Sequence, residues 1–359
     1  MKAIKSLSIA SVLLAAIVCI TGCGSSDAPN SPVAHRMINE NDSSAVLRFL
    51  IEDVGIDPDQ LKDMDIDEMA EYVRNNTELF TRRFSFALGW SYFPELNQRR
   101  VTYIMLIASE RLDQKNVVFP KALTDLEEVH TLDINGGGFN HPLPEDVCKF
   151  KKLRKLCITY TDIPELPENL FNENMEYVAI SGNSSLRRVP TSVLRLDSKT
   201  DPSRRFVIAA NNSLSGKCPA IKNAWIWMNN NNFDEIDWES ISEKYLGKDG
   251  QVHATGPMLY GNRLYGEIPE NILSDTVRLI NYYDFQFSHW QSECIRPANM
   301  PSEQELEKMR REYINSHPDD IIFATPVDES PGAGSFPSMP TLIRNGKNHE
   351  RTALIYVVE

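Results

Sequence analysis

The apolar positions of the chain fall into three patterns. Residues 7–20 form an uncharged, mostly apolar run behind Lys2 and Lys5. It is shorter than the roughly 20 apolar residues a membrane-spanning helix needs, and it has the flanks of a secretory leader. Over residues 45–115 the spacing predicts helices. Leu47, Leu50, Ile51 and Val54 share one helical face, and Met69, Tyr72 and Val73 share another behind a capping box of Asp65 and Glu68. Residues 79–90 add Phe80, Phe84, Phe86 and Leu88, and residues 101–112 are apolar over so much of their surface that they predict a buried helix. From Leu126 the pattern changes. Leu126, Val129, Leu132 and Ile134 are spaced three, three and two, and Phe150, Leu153, Leu156 and Ile158 repeat that spacing. Met175, Val178, Ile180, Asn183 and Leu186 continue it.

Leu132, Leu156 and Val178 mark intervals of about 22–24 residues, within the range of leucine-rich repeats. The segment Asn262, Leu264, Gly266, Ile268, Pro269 resembles the N-x-L-x-G-x-I-P signature of the plant-type subclass. Asn212, Leu214, Gly216, Cys218, Pro219 follows it with cysteine in the isoleucine place, and Ile163-Pro164 and Val189-Pro190 carry its end. The resemblance covers about residues 126–285. It implies an α/β fold, a leucine-rich-repeat solenoid with short parallel strands on its concave face, preceded by an amino-terminal helical domain. Pro257 stands where a strand leucine is expected, residues 239–256 enlarge one repeat, and the segment after Val277 is degenerate.

In each L-x-L, alternate residues face opposite sides of a strand, so the leucines enter the core and the x residues face outward. The asparagine turns the chain, its amide meeting backbone groups that would otherwise be buried unpaired. Asn231 is the expected ladder member of the run Asn229–Asn232. The outward positions are Thr131, Asp133 and Asn135, then Lys155, Cys157 and Thr159, then Tyr177, Ala179 and Ser181. The next repeats present Phe206, Ile208 and Ala210, then Trp225, Trp227 and Asn229, then Met258 and Tyr260. Tyr177, Phe206, Trp225, Trp227, Met258 and Tyr260 are therefore the candidate ligand-binding residues, because an exposed row of large apolar side chains marks an interaction surface. Anchoring the fourth repeat on Asn211 instead of Asn212 would bury Phe206 and expose Arg205 and Val207.

The leader ends in Ile20, Thr21, Gly22 and Cys23, which resembles the lipobox of bacterial lipoproteins, with Bacteroidetes-like surface leucine-rich-repeat lipoproteins the nearest type. That resemblance implies cleavage after Gly22, lipid attachment at Cys23 and a place on the outer membrane. Residues 1–22 are then a signal peptide and 23–40 a polar, proline-punctuated tether. Residues 41–118 are expected to form the helical domain, 119–296 the solenoid and 297–359 a cap. The cap contains a helix over 302–316 behind Ser302 and Glu305, and a hairpin from Thr341–Arg344, Asn345-Gly346 and Ala353 onward.

Composition narrows function. The chain is 42% hydrophobic and 24% charged, as a globular protein is. Its formal charge is −13, or −15 once Lys2 and Lys5 leave with the leader, which argues against nucleic acid and anionic headgroups as partners. Cys148, Cys157, Cys218 and Cys294 lack zinc-ligand spacing, and the first three should point in different directions and stay unpaired. Asp63, Asp65 and Asp67 alternate like an EF-hand start, but Glu68 and Arg74 occupy the places that need glycine and glutamate. No nucleophile elbow, zinc helix or phosphate loop is present, so no enzyme, cofactor or metal is expected. The expected function is recognition of a protein or peptide at the membrane. The alternative is glycan binding beside a saccharide-uptake system, since aromatic planes also stack on sugars.

Overall fold

The computed structural model describes residues 38–76, 84–109, 114–197, 206–221, 224–240, 259–264, 266–286, 297–316, 321–325, 341–344 and 347–348. The chain divides into two compact units, Met1–Leu186 and Arg187–Glu359. Both are built from α and β elements, and the strands pair mostly in parallel.

The first unit begins with helix α1, Glu40–Arg48, capped by the Asn39 side chain, which accepts from the amides of Asn41 and Asp42. The helix runs on as a wider turn, Phe49–Val54, and stops at Gly55, whose φ of +84° suits glycine. A short helix α2, Pro58–Leu61, and helix α3, Ile66–Asn75, follow. The Asp65–Glu68 capping box forms as the sequence predicts, and Met69 and Val73 are buried.

Strands β1, Ser85–Phe93, and β2, Gln98–Ile107, then make an antiparallel hairpin. This corrects the helical reading of the region over Ser85–Ile107. Strand β2 carries apolar side chains on both faces: Val101, Ile104 and Leu106 are buried, while Tyr103, Met105 and Ile107 are half-buried on the other side. Two apolar faces erase the period of two that identifies a strand in sequence.

A buried ion pair joins hairpin and helix. Arg100 donates to Asp42 through Nε at 3.1 Å and Nη2 at 3.0 Å, and the Val101 amide donates to the same carboxylate at 2.8 Å. Both carboxylate oxygens are thus met, which a charge with no exposed surface requires.

Strand β2 pairs in parallel with β3, Thr131–Asn135, β3 with β4, Lys155–Thr159, and β4 with β5, Tyr177–Ser181. Leu132, Leu156 and Val178 stand opposite one another, as do Ile134, Ile158 and Ile180, and all six are at most 1% exposed. The repeat positions read from the sequence are therefore the core of this unit. Gly136 and Gly138 fill the first turn because the chain passes close to residue 108: a Cβ on either would lie 2.1 Å from a backbone oxygen.

The turns close through asparagine. The fully buried Asn183 donates to the Ile158 carbonyl at 2.9 Å and accepts from the Thr161 amide and hydroxyl.

The second unit uses the same device. Asn212 donates to the Ala209 carbonyl, Asn231 to those of Ala209 and Met228, and Asn262 to those of Met228 and Leu259. Asn231 accepts from the Leu214 amide and Asn262 from that of Phe233. Asn231 is the ladder member that the sequence predicts.

Strands β6, Phe206–Ile208, and β8, Trp225–Trp227, pair in parallel, as do β7, Ser215–Lys217, and β9, Asn232–Glu235. Helices α4, Glu270–Leu273, and α5, Thr276–Gln286, follow, and α6, Glu303–Ser316, starts at the predicted pairing of Ser302 with Glu305. Strand β10, Ile321–Thr325, pairs with β11, Thr341–Arg344, which turns back into β12, Lys347–Asn348. Residues from 349 onward, including the proposed strand at Ala353, lie outside the described residues. Cys148, Cys157 and Cys218 are free thiols, as expected, and Cys218 is buried in the isoleucine place, 3.6 Å from the Met228 sulfur.

Asn183→Ala leaves the Thr161 amide and the Ile158 carbonyl buried without their partner. A loss of about 2–4 kcal/mol is expected, with the urea midpoint as readout and the slope unchanged.

Candidate ligand-binding face

The first unit leaves one side of its sheet partly open, and strand register orders it into three rows. The outer row runs Gly89, Tyr103, Thr131, Lys155, Tyr177. The middle row runs Ala87, Met105, Asp133, Cys157, Ala179, and the third runs Ser85, Ile107, Asn135, Thr159, Ser181. The outer row thus carries the long side chains and the middle row, from β3 to β5, the short ones. Tyr103 lies over Gly89, where a Cβ would come within 3.0 Å of the tyrosine Cβ and 3.4 Å of its ring. The glycine gives that ring its seat on the hairpin.

Charge on this face is unusual. Asp133 makes no hydrogen bond or ion pair with any described residue, and burial pushes its carboxyl up to about 6. Burial is also the main reason the Cys157 thiol is pushed up to about 12, with Asp133 adding to it. The Tyr177 hydroxyl, raised to about 12 by burial and then by Cys157 and Asp133, completes a set of three neighbours that resist ionisation. Asn135 donates to the Thr159 hydroxyl at 2.8 Å, so the third row is partly self-satisfied. The Ser181 Oγ, at the far end of that row, is buried without a hydrogen-bond partner among the described residues.

In the second unit the expected aromatic row is not an open one. Phe206 and Trp227 share a sheet face through β6 and β8, as the Asn212 register requires. Their rings stack with centroids 6.1 Å apart and planes at 9°, and only 8% of Phe206 and 4% of Trp227 is exposed. They serve packing instead of presenting a free surface, which corrects the sequence expectation for these two residues. The Trp225 side chain and Met258 lie outside the described residues. Tyr260 is half-buried, and burial raises its hydroxyl. Tyr177 and Tyr260 are thus the expected site residues that keep partial exposure, and they belong to different units.

Sequence reasoning named Asp133 as outward-facing without giving it a role, and it missed Tyr103, Met105 and Ile107 because it read β2 as helix. One signal was available: Leu96-Asn97 between two runs rich in aromatic and β-branched residues, with Asn97 adopting φ +49° at the hairpin turn.

A concavity between α1, α3 and β1 has a volume of about 30 Å³, lined by Leu50, Met69, Val73 and Leu88 among others. That is the space of one water, with apolar walls that give a water no partner. Among the described residues there is no group of three or more histidine, cysteine or acidic side chains placed to hold a metal, and no helix long and apolar enough to cross a membrane.

No protein-family model matches the sequence, and no curated protein matches it. Among solved structures, the chain is similar to a plant ice-binding protein at 18% identity and a TM-score of 0.37, over 64% of this chain and 66% of that one. It is also similar to the plant peptide hormone receptor RGFR1, solved in complex with RGF2, at 19% identity and a TM-score of 0.29, over 47% of this chain and 30% of the receptor. The chain spans just under two thirds of the first and under a third of the second. Likeness at this level fixes neither a family nor a ligand.

The raised Asp133 carboxyl has a consequence for stability. A carboxyl at about 6 in the folded chain against 3.8 in its ordinary state means that folding takes up protons between those values. Stability therefore falls as pH rises from about 4 to 6 and stays reduced above. Asp133→Asn is expected to raise stability by roughly 1–3 kcal/mol at pH 7 and to have no effect below pH 4. Thermal unfolding of both proteins across pH 3–8 measures it.

Proposed function

We propose that this chain is a lipid-anchored protein of the bacterial cell envelope that recognises a protein or peptide ligand. Recognition takes place on the outward sheet face of a leucine-rich-repeat solenoid. The observation that carries this reading is the alternation in β3, β4 and β5. In each strand the core positions are closed, while Thr131, Asp133, Lys155, Cys157 and Tyr177 stay half-exposed on the other side. Such a face is not required by the core beneath it. It joins two tyrosines, an unpaired carboxylate and several hydroxyl and amide groups, the mixture of rigid aromatic and adaptable polar contacts typical of protein recognition.

The lipobox residues Ile20–Cys23 support an anchor at Cys23, although they lie outside the described residues. A binding face tethered through residues 23–37 would stay close to the membrane.

The saccharide alternative draws less support. Phe206 and Trp227, two of the aromatic planes it would use, stack on each other and are closed off.

Two outcomes are expected. Cys23→Ser should abolish incorporation of labelled palmitate and release the chain from the membrane fraction. Replacing Tyr103 and Tyr177 together by serine should weaken binding to peptides selected from a displayed random library by about tenfold or more, with the far-ultraviolet spectrum unchanged. Unaltered peptide affinity, or selective retention on a glycan array with no peptide binding, would sink the peptide reading.

A further inference from the structure

We infer that the middle row of the first unit's sheet is a subsite for a cationic group, a lysine or arginine side chain of the bound peptide, with Asp133 as its counter-ion. The inference rests on the peptide-binding reading and adds the chemistry of the ligand.

Three features of the face converge on it. The first is shape. From β3 to β5 the middle row is Asp133, Cys157 and Ala179, flanked on one side by Thr131, Lys155 and Tyr177 and on the other by Asn135, Thr159 and Ser181. Cys157 and Ala179 are shorter than Lys155 and Tyr177 beside them, so the middle row lies low against the outer row on β4 and β5. A straight alkyl chain fits such a floor, since Cys157 and Ala179 offer it apolar contact.

The second feature is the unmet carboxylate. Asp133 is half-buried in the middle of a sheet and has no donor among the described residues. A charge in that position is held at a cost to the fold, and a lysine ammonium or arginine guanidinium from outside would remove the cost. Tyr103 is a diagonal neighbour of Asp133 across β2 and β3, at about 7–8 Å between backbones, with its ring over Gly89 on β1.

The third is the net charge. A chain of −13 draws cationic ligands and repels anionic ones over distances of about a Debye length. Lys155 is the cation nearest to Asp133 in register, yet no ion pair joins the two.

The test uses the detergent-solubilised full chain and two pools of acetylated, amidated random nonapeptides. One pool carries lysine or arginine at the central position and the other norleucine. Wild-type protein is expected to retain the basic pool about tenfold more than the other at pH 7.5, and Asp133→Asn to erase the preference. The preference should also shrink below about pH 6, as Asp133 takes up its proton. Of the other groups that face it, Cys157 on β4 and Tyr177 on β5 stay neutral in that range, and Lys155 on β4 is the neighbouring basic side chain. His130, just before β3 and lowered mainly by burial, also titrates nearby, so the pH effect must disappear in Asp133→Asn to count. Asp133→Asn is expected to be the more stable protein, so loss of preference would not reflect misfolding. Retention of both pools without preference, or a preference that survives in Asp133→Asn, overturns the cation subsite and leaves peptide recognition standing. Retention of neither pool overturns both.

Discussion

The structure depends on how a parallel strand can end. Each strand of the repeat region enters a turn whose amides and carbonyls point into a closed interior where water cannot reach them. A buried amide or carbonyl left unpaired costs about 1–3 kcal/mol. At Asn183, Asn231 and Asn262 an asparagine side chain solves this, because it donates and accepts at once. Asn231 and Asn262 each connect backbone groups of their own turn with those of the turn before, and Asn183 meets groups of the turn before it. That link sets the repeat length, since the side chain must arrive where the preceding turn left its groups unmet. With repeat length fixed, strand register is fixed, and register decides which side chains share a row.

Much of this was legible in the sequence, because a stacked turn is nearly alone in needing a short polar residue at a fixed distance from a run of alternating leucines. Leu132, Ile134, Leu156, Ile158, Val178 and Ile180 could be placed in the core from spacing alone, and so could Asn231 at its turn. The capping residues Asp65 and Ser302 were legible for the same reason: the chemistry that fixes them is local. The β1–β2 hairpin was not. Its second strand has apolar residues on both faces, and a strand covered on both sides shows no alternation. What distinguishes it from a helix is the neighbour it pairs with, which lies about 28 residues further along at Thr131.

The binding face was only half legible. Pattern places a residue on one side of a strand, but it does not say what lies above that side. Phe206 and Trp227 were assigned to the correct face and are nevertheless closed off, stacked on each other. Asp133 was assigned to the same kind of face and remains partly open. Its importance comes from what is missing around it, a quantity that only the surrounding chain can supply. The two cases also show opposite ways of treating an awkward side chain. A large apolar ring is covered, which favours stability, whereas the Asp133 carboxylate has no partner among the described residues, which does not.

The hydrogen bonds of the asparagines span only 22 residues from Asn183 to Thr161, and the strand pairs β3–β4 and β4–β5 are separated by similar intervals. From β3 to β5 each turn is thus joined to the turn just before it. That stretch needs no distant segment in order to extend. Each new turn finds its template already laid down as it emerges, and the entropy of closing each loop stays modest and nearly constant. From β3 to β5 this amounts to assembly by accretion, each turn laid on the one before it.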